Sequence, residues 1–138
     1  MKDPLAKLPG YALRRASVTM MDALSEGLKD LDLKFTESTA LVLIGANPGI
    51  RQADLVEMLA IQRPNMVPLV ARLEMHGWVE RAAVDGRSFG LTLTPAGEAL
   101  LNRVWVVVND LEQRLISHVR TDQVEIFHKT LTAIWQNW

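Results

Sequence analysis

The segment VDGRSFGLTLTPAG, residues 84–97, holds a turn, a strand and a helix start in immediate succession. Its polar tip DGR (85–87) predicts a turn, and residues 89–94 then alternate between large apolar and small or hydroxyl side chains. This alternation predicts a β-hairpin whose buried face carries Phe89, Leu91 and Leu93. Thr94 followed by Pro95 predicts the N-cap and first residue of a helix. The hairpin therefore holds one arginine, Arg87, near its tip and directly before a helix.

Helical periodicity predicts the elements on the N-terminal side of this hairpin. Apolar residues recur at spacings of three and four over residues 11–31, which predicts a long first helix. A second and almost wholly apolar helix is expected up to Ala46, with Thr36 as its N-cap and Glu37 in its first turn. The turn NPG (47–49) then leads to a short helix over residues 51–60.

A third helical stretch, PNMVPLVARLEMH (64–76), precedes the hairpin and is closed by Gly77 at the C′ position. Pro64 suits the first position of a helix, where its missing N–H has no partner to lose. Pro68 lies one turn later, removes a backbone donor and crowds the carbonyl of residue 64. We therefore expect an irregular or 3₁₀-like first turn in this helix.

Two further helices are predicted after the hairpin, a long one from Pro95 and a last one from about Thr121. The last helix is expected to bury Val124, Phe127, Leu131 and Ile134, with Trp138 as a further candidate. The complete order predicts a mainly α (α+β) fold, a winged helix-turn-helix of about six helices with a two- to three-stranded wing. Residues 1–138 would form one domain, with the winged lobe at 36–94 and a helical dimerisation lobe at 1–35 and 95–138.

The terminal helices carry more apolar surface than a lobe of about 60 residues can cover. The simplest way to bury that surface is a second copy of the chain, with the end helices interleaved around a two-fold axis. The sequence thus predicts a homodimer.

The composition limits the possible classes of protein. Hydrophobic residues make up 49% of the 138, so a sizeable core is expected, and the absence of cysteine excludes disulfides, thiolate metal sites and cysteine nucleophiles. No apolar run is long enough to span a membrane. The start MKDPLAKLPG has no apolar run behind its charges, so no secretory signal and a cytoplasmic location are expected.

The charge balance gives no global indication of nucleic-acid binding, because the net charge is −1. Within residues 50–94 five arginines are balanced by five acidic residues. An interaction with DNA must therefore depend on where individual charges point rather than on their sum. Every cation in this window is arginine, whose planar fork suits phosphates and guanine edges.

Four segments with consistent spacing resemble the MarR family of bacterial transcriptional regulators: ADLVEML (53–59), VARLEMHGWVER (70–81), DGR (85–87) and LTLTPAG (91–97). The matching positions of the family pattern are Asp85, Arg87, Leu93, Thr94 and Gly97. The resemblance implies a two-fold dimer on a palindromic operator, with helix 64–76 in the major groove and the wing in an adjacent minor groove. It also implies release from DNA by small, often aromatic, anionic ligands.

The wing departs from many relatives at one place. Ser88 follows Arg87 where they often carry a second arginine, so wing contacts here would depend on Arg87 alone. A cation on a narrow hairpin can enter the negative minor groove of A·T-rich DNA. The alternative is a solvated turn arginine paired with Asp85. Asp85 itself is expected to steady the turn or Arg87, since an anion close to phosphate is repelled.

Further DNA contacts are predicted at two helix starts. Helix 64–76, which would lie in the major groove, is called the reading helix. Gln62, Arg63 and Asn65 lie at its start, where side chains meet base edges, although Asn65 could instead cap the helix. Arg51 and Gln52 could hold a phosphate together with helix N–H groups, or could simply be exposed. Arg72, deeper in the reading helix, either contacts phosphate or pairs with Glu74 or Glu57.

Candidate ligand residues are Tyr11, Arg14 and Arg15, which the resemblance places near the cavity between the dimerisation helices and the DNA-binding lobe. An arginine there could hold a carboxylate, and plain surface arginines are the alternative. Trp78, at the base of the hairpin, is interpreted as partly buried core rather than a stacking platform. No cofactor is expected beyond such a small aromatic or anionic effector.

Enzymatic chemistry finds no support in the sequence. The three histidines have no clustered carboxylate or thiol partners at metal spacing, so neither a metal site nor a catalytic residue is predicted. The serines lie in no nucleophile-elbow pattern, and GANPG (45–49) lacks the lysine and hydroxyl residue of a phosphate loop.

We therefore predict a sequence-specific, double-stranded-DNA-binding regulator, a ligand-responsive repressor that acts as a homodimer. Its two reading helices would lie about 34 Å apart to match successive major grooves, and ligand would favour a dimer geometry with a different spacing. The alternative is a winged-helix module for protein association that has lost DNA binding. The neutral charge of residues 50–94 keeps this alternative open.

Overall fold

The computed structural model describes residues 1–138 and contains six α-helices and one β-hairpin. The elements in chain order are α1 (Pro9–Leu28), α2 (Phe35–Ala46), α3 (Gln52–Leu59), α4 (Arg63–Met75), β1 (Val79–Asp85), β2 (Ser88–Leu93), α5 (Pro95–Ile116) and α6 (Val124–Gln136). Short 3₁₀ turns at Lys29–Leu31 and Thr121–Gln123 follow α1 and precede α6. This order confirms the predicted winged helix-turn-helix with flanking helices.

The core of the winged lobe forms around α2. Leu41 and Ile44 of this helix are fully buried, and they share one apolar cluster with Leu55 of α3, Leu73 of α4 and Leu91 of β2. The end of α1 and the first half of α5 complete the same cluster through Leu28 and Val104. Each such side chain contributes about 1.5–3 kcal/mol through its burial. The lobe and the inner ends of the long helices are therefore a single folding unit.

The wing is an antiparallel pair in which Val79 lies opposite Leu93 and Arg81 opposite Leu91. A third chain segment joins it at a single bridge, where Gly49 N donates to Leu91 O at 2.9 Å and Leu91 N donates to Ile50 O at 2.8 Å. The strand β2 is consequently the middle of three segments. The loop before α3 is thereby fixed to the wing.

The wing is followed at once by α5, as the sequence predicts. Thr94 is the N-cap and its hydroxyl accepts a hydrogen bond from Gly97 N at 3.0 Å, with Pro95 in the first helical position. Before the first strand of the hairpin Gly77 adopts a φ of +72°, as expected for a C′ glycine after α4. Trp78 is half-buried and stacks on His76 with ring centroids 4.3 Å apart.

Two local predictions are wrong and a third is confirmed. The second helix starts two residues early: Lys34 occupies the N-cap position rather than Thr36, and its backbone N–H donates to the Glu37 carboxylate at 2.9 Å. Phe89 is 66% exposed, because the bulge between Ala83 and Asp85 begins the part of the hairpin that projects beyond the core. The expected 3₁₀-like first turn of α4 is present, with a hydrogen bond from Asn65 N to Gln62 O at 2.9 Å, and the helix continues as α-helix through Pro68.

The terminal helices lie largely outside the core of one chain. No residue of α6 is buried, so the predicted burial of its apolar face does not occur within a monomer. Only the last part of α1 is enclosed, whereas Leu13 and Val18 are exposed. None of the helices combines the length and apolar content needed to cross a bilayer.

Candidate nucleic-acid interface

The reading helix α4 has one buried and one exposed face. Met66, Leu69, Val70 and Leu73 turn inward at helical spacing, which leaves the opposite face open to solvent. Arg63 and Asn65 are exposed in its first turn and their side chains make no hydrogen bond within the chain. The capping alternative for Asn65 is wrong, because Gln62 occupies the N-cap position. Both side chains are thus available for contacts outside the chain.

The turn of the wing is organised by Asp85. Its Oδ1 accepts hydrogen bonds from Arg87 N at 3.0 Å and from Ser88 N at 2.9 Å, while Oδ2 accepts one from Arg51 Nη2 at 3.2 Å. The backbone N–H of Arg87 is the main cause of a lowered Asp85 pKa, and Ser88 and the Arg51 charge add to it. The two backbone hydrogen bonds show that Asp85 stabilises the turn. The bond from Arg51 links the wing tip to the start of α3.

The five arginines of the winged lobe fall into two groups. Arg51 pairs with Asp85, Arg72 with Glu37, and Arg81 with Glu74. Arg63 and Arg87 have no ion-pair or hydrogen-bond partner for their guanidinium groups, and both are exposed. The alternative, in which the Arg87 side chain pairs with Asp85, does not occur, since Arg51 takes that place. The two uncompensated cations lie at the front of the reading helix and near the tip of the wing.

Arg72 makes an intramolecular pair, but with partners that the sequence did not indicate. Its Nε donates to the buried Glu37 carboxylate and its Nη2 donates to the backbone oxygen of Asp32 at 2.8 Å. The hydrogen bond to Glu37 is the main cause of a raised Arg72 pKa, and the negative charges of Glu37 and Asp32 add to it. Neither Glu74 nor Glu57 is involved, because Glu74 pairs with Arg81. The side chain thus joins α4 to the start of α2.

Arg51 and Gln52 lie at the start of α3 as predicted. Arg51 is the N-cap residue, and no side chain caps the first-turn N–H groups of this helix. Gln52 is half-buried beside Phe89 and Arg81 at the edge of the wing. The first turn of α3 therefore retains free donors next to the Arg51–Asp85 pair.

The predicted ligand residues lie on the outer part of α1. Arg15 Nη1 donates to the Tyr11 hydroxyl at 3.2 Å, and Arg14 is exposed. A cavity of about 240 Å³ opens further along, between α1 and α5, and none of these three residues lines it. One wall of this cavity is formed by the α1 residues Ala16, Thr19, Met20 and Ala23. The other is formed by Leu111, Arg114 and Leu115 of α5 and by His118, which lies just after that helix.

Sequence reasoning missed Arg114 and His118 as site residues. They occur in the spacing Leu111, Arg114, Leu115, His118, which places two basic side chains within an otherwise apolar helical stripe. That pattern is a usable signal. It becomes specific only when α1 is known to pack against this part of α5.

Comparisons with known proteins agree with this architecture. Residues 31–88 match the MarR family model. The chain is 30% identical over 127 residues to the HTH-type transcriptional repressor Rv2887 of Mycobacterium tuberculosis (strain ATCC 25618 / H37Rv), with 91% of each chain covered. The transcriptional repressor CouR bound to a 23-mer DNA duplex superimposes with a TM-score of 0.85 at 30% identity, over 99% of this chain and 100% of that one.

A second solved structure, the Rv2887 complex with p-aminosalicylic acid, gives a TM-score of 0.75 at 28% identity, over 93% of this chain and 98% of that one. Sequence identity and shape therefore agree over nearly the whole length. This chain belongs to the MarR family of winged helix-turn-helix transcriptional regulators.

Proposed function

We propose that this protein is a homodimeric transcriptional repressor that binds a palindromic operator, with α4 in the major groove and the wing in an adjacent minor groove. One observation carries the proposal. Residues 50–94 are electrically balanced, yet the pairing of their charges leaves Arg63 and Arg87 as free cations at the two places that would meet DNA.

The remaining charges of the lobe support the same arrangement. The Arg51–Asp85 pair holds the wing tip against the start of α3, which fixes the position of Arg87 relative to α4. A cation held near the tip of a hairpin can enter a minor groove, and an arginine at the front of a reading helix can reach guanine or phosphate. Free N–H groups at the start of α3 suit a phosphate. The comparison with CouR, whose structure contains duplex DNA, supports the docking mode.

The first experiment tests DNA recognition through these two arginines. Duplexes are selected from a random library by the purified protein, and binding is then measured by fluorescence anisotropy at several salt concentrations. We expect Arg63→Ala combined with Arg87→Ala to weaken operator binding by about 100-fold or more and to flatten the salt dependence. The fold and the oligomeric state should be unchanged, because both side chains are exposed.

The matched control is Arg103→Ala, which removes one exposed arginine from α5 outside the winged lobe. It should change operator affinity by less than about threefold. A protein-association module would behave differently: selection would yield no common sequence, and the double variant would bind DNA as the parent does. Such a result would contradict the proposed function.

The effector of this repressor is proposed to bind in the cavity between α1 and α5. The apolar walls and about 240 Å³ suit a single aromatic ring, and Arg114 could hold an anionic substituent. Related structures contain salicylic acid, in Rv2887, and p-coumaroyl-CoA, in CouR. These compounds define the class to test: aromatic acids and their thioesters.

Salicylate and p-coumaroyl-CoA are titrated into the protein–operator complex while anisotropy reports release. We expect at least one of them to release the duplex, and Arg114→Ala to raise the concentration required by about tenfold or more, as removal of a charged hydrogen-bond partner does. Arg15→Ala is the comparison variant, since Arg15 contacts Tyr11 outside the cavity. If Arg15→Ala impairs release and Arg114→Ala does not, the effector binds near Tyr11 instead.

A further inference from the structure

The centre of the exposed face of α4 is apolar along the whole length of the helix. Pro64, Pro68, Ala71 and Met75 follow one another at spacings of four, three and four, so they form a single line on the helix surface, and Val67 lies beside it. All five are exposed, with Val67 at 67% and Met75 at 76%. We call these five residues the apolar strip.

The polar side chains of α4 are excluded from this strip. Arg72 is bound to Glu37 and Asp32, and Glu74 to Arg81, so both are occupied by partners in other elements. The two side chains left free, Arg63 and Asn65, are confined to the first turn. Beyond that turn the helix has no side chain that can exchange a hydrogen bond with a base edge.

This composition restricts the bases that the helix can face. An apolar side chain pressed against a base edge leaves the donors and acceptors of that edge without water, which costs free energy. The thymine C5-methyl group is the apolar feature that the major groove presents, and it packs against such side chains without this cost. The flanking cations Arg63 and Arg87 favour duplex DNA over a protein as the occupant of the strip.

We infer that the strip reads thymine methyl groups, with Val67 as the principal specificity-determining residue beyond the first turn of α4. This inference depends on the proposed function, since it identifies which bases α4 recognises in the operator. Polar recognition is then limited to Arg63 and Asn65. Each half-site should hold at least one thymine in the centre of its major-groove contact.

The test replaces thymine by uracil in the selected operator duplex, which removes one methyl group and preserves base pairing. Symmetric replacement at the thymine facing Val67 should weaken binding about fourfold per half-site, so about 15-fold in total, as expected for loss of one buried methyl group at each site. In the Val67→Ala variant the same replacement should weaken binding by less than about twofold, because the contact is already absent. Thermal unfolding of the variant checks that its fold is intact.

The matched control is Met58→Ala, which shortens an exposed apolar side chain on α3, outside the strip. This variant should show the full uracil effect of the parent protein. Selected half-sites without a central thymine, or equal binding of thymine and uracil duplexes by the parent, would overturn the inference and leave the proposed repressor function standing. Absence of any selective DNA binding would instead remove both.

Discussion

Gly90 is the residue at which the wing and the loop before α3 come into closest contact. A Cβ atom at this position would lie 2.1 Å from the backbone oxygen of Gly49 and 2.7 Å from Val84 Cγ2. The contact exists because Ile50 pairs with the neighbouring Leu91, which draws the Gly49 backbone across β2. A side chain at Gly90 therefore collides with backbone rather than with a flexible side-chain end.

We predict that Gly90→Ala lowers the free energy of unfolding by about 2 kcal/mol or more, since the backbone must shift to admit the methyl group. Chemical denaturation monitored by far-ultraviolet circular dichroism measures this change. The control is Gly86→Ala at the wing tip, where a Cβ atom meets nothing within 4 Å. Its stability should remain within about 0.5 kcal/mol of the parent. Equal stability of the two variants would contradict the close approach at Gly90.

The contact between α4 and α2 shows what the sequence could and could not predict. The helix order, the Thr94 cap and the C′ position of Gly77 follow from local patterns, and all three are confirmed. The partner of Arg72 does not follow from local patterns, because Glu37 is distant in sequence and contacts Arg72 only after α2 and α4 have packed. Local reasoning selected Glu74 and Glu57, which are near Arg72 in sequence or on the preceding helix.

The same limit applies to the candidate site. Its residue types and positions on α3, α4 and the wing could be predicted, because they depend on motif spacing. The sequence could not show which arginines are free, since their pairing depends on the fold. Arg51 pairs with Asp85, and Arg87 is therefore left without a partner. The exposure of Phe89 was missed for a related reason, because strand alternation does not show where the core ends.

The Arg72–Glu37 pair leads to a prediction about the helix pair it joins. We expect Arg72→Ala to lower the midpoint of thermal unfolding measurably, because Glu37 is left buried without its cation, while the partial exposure of Arg72 moderates the loss. The slope of operator affinity against salt concentration should not change, since no phosphate contact is removed. Thermal unfolding and anisotropy titrations measure the two effects.

Glu37→Gln combined with Arg72→Ala provides the control, because the neutral amide removes the unpaired buried charge. This double variant should recover part of the lost stability. A salt slope reduced by about one in Arg72→Ala, without loss of stability, would instead assign Arg72 to a phosphate contact.

The whole molecule exposes more apolar surface at its ends than in its winged lobe. Along α6 the apolar line Phe127, Leu131 and Ile134 is not buried within one chain, and Trp138, just after the helix, is fully exposed. At the other end of the chain, Leu5 and Leu8 before α1 and Leu13 and Val18 on it are exposed as well. Surface of this kind is typical of interleaved helices in a two-fold dimer. Dimerisation would bury it and would also bring two copies of α4 to one side of a duplex.

We predict that Leu131→Asp combined with Ile134→Asp yields a folded monomer, because two carboxylates on this line cannot be buried against a second copy. Sedimentation velocity should report a dimer for the parent and a monomer for this variant, with an unchanged circular dichroism spectrum. Operator affinity should fall by about 100-fold or more, since each lobe then binds its half-site without the effective concentration that its partner supplies. Gln136→Asp, on the opposite side of α6, adds a carboxylate away from the line and should remain dimeric with parental affinity. A parent protein that sediments as a monomer and still binds a palindrome tightly would refute this dependence of recognition on the terminal helices.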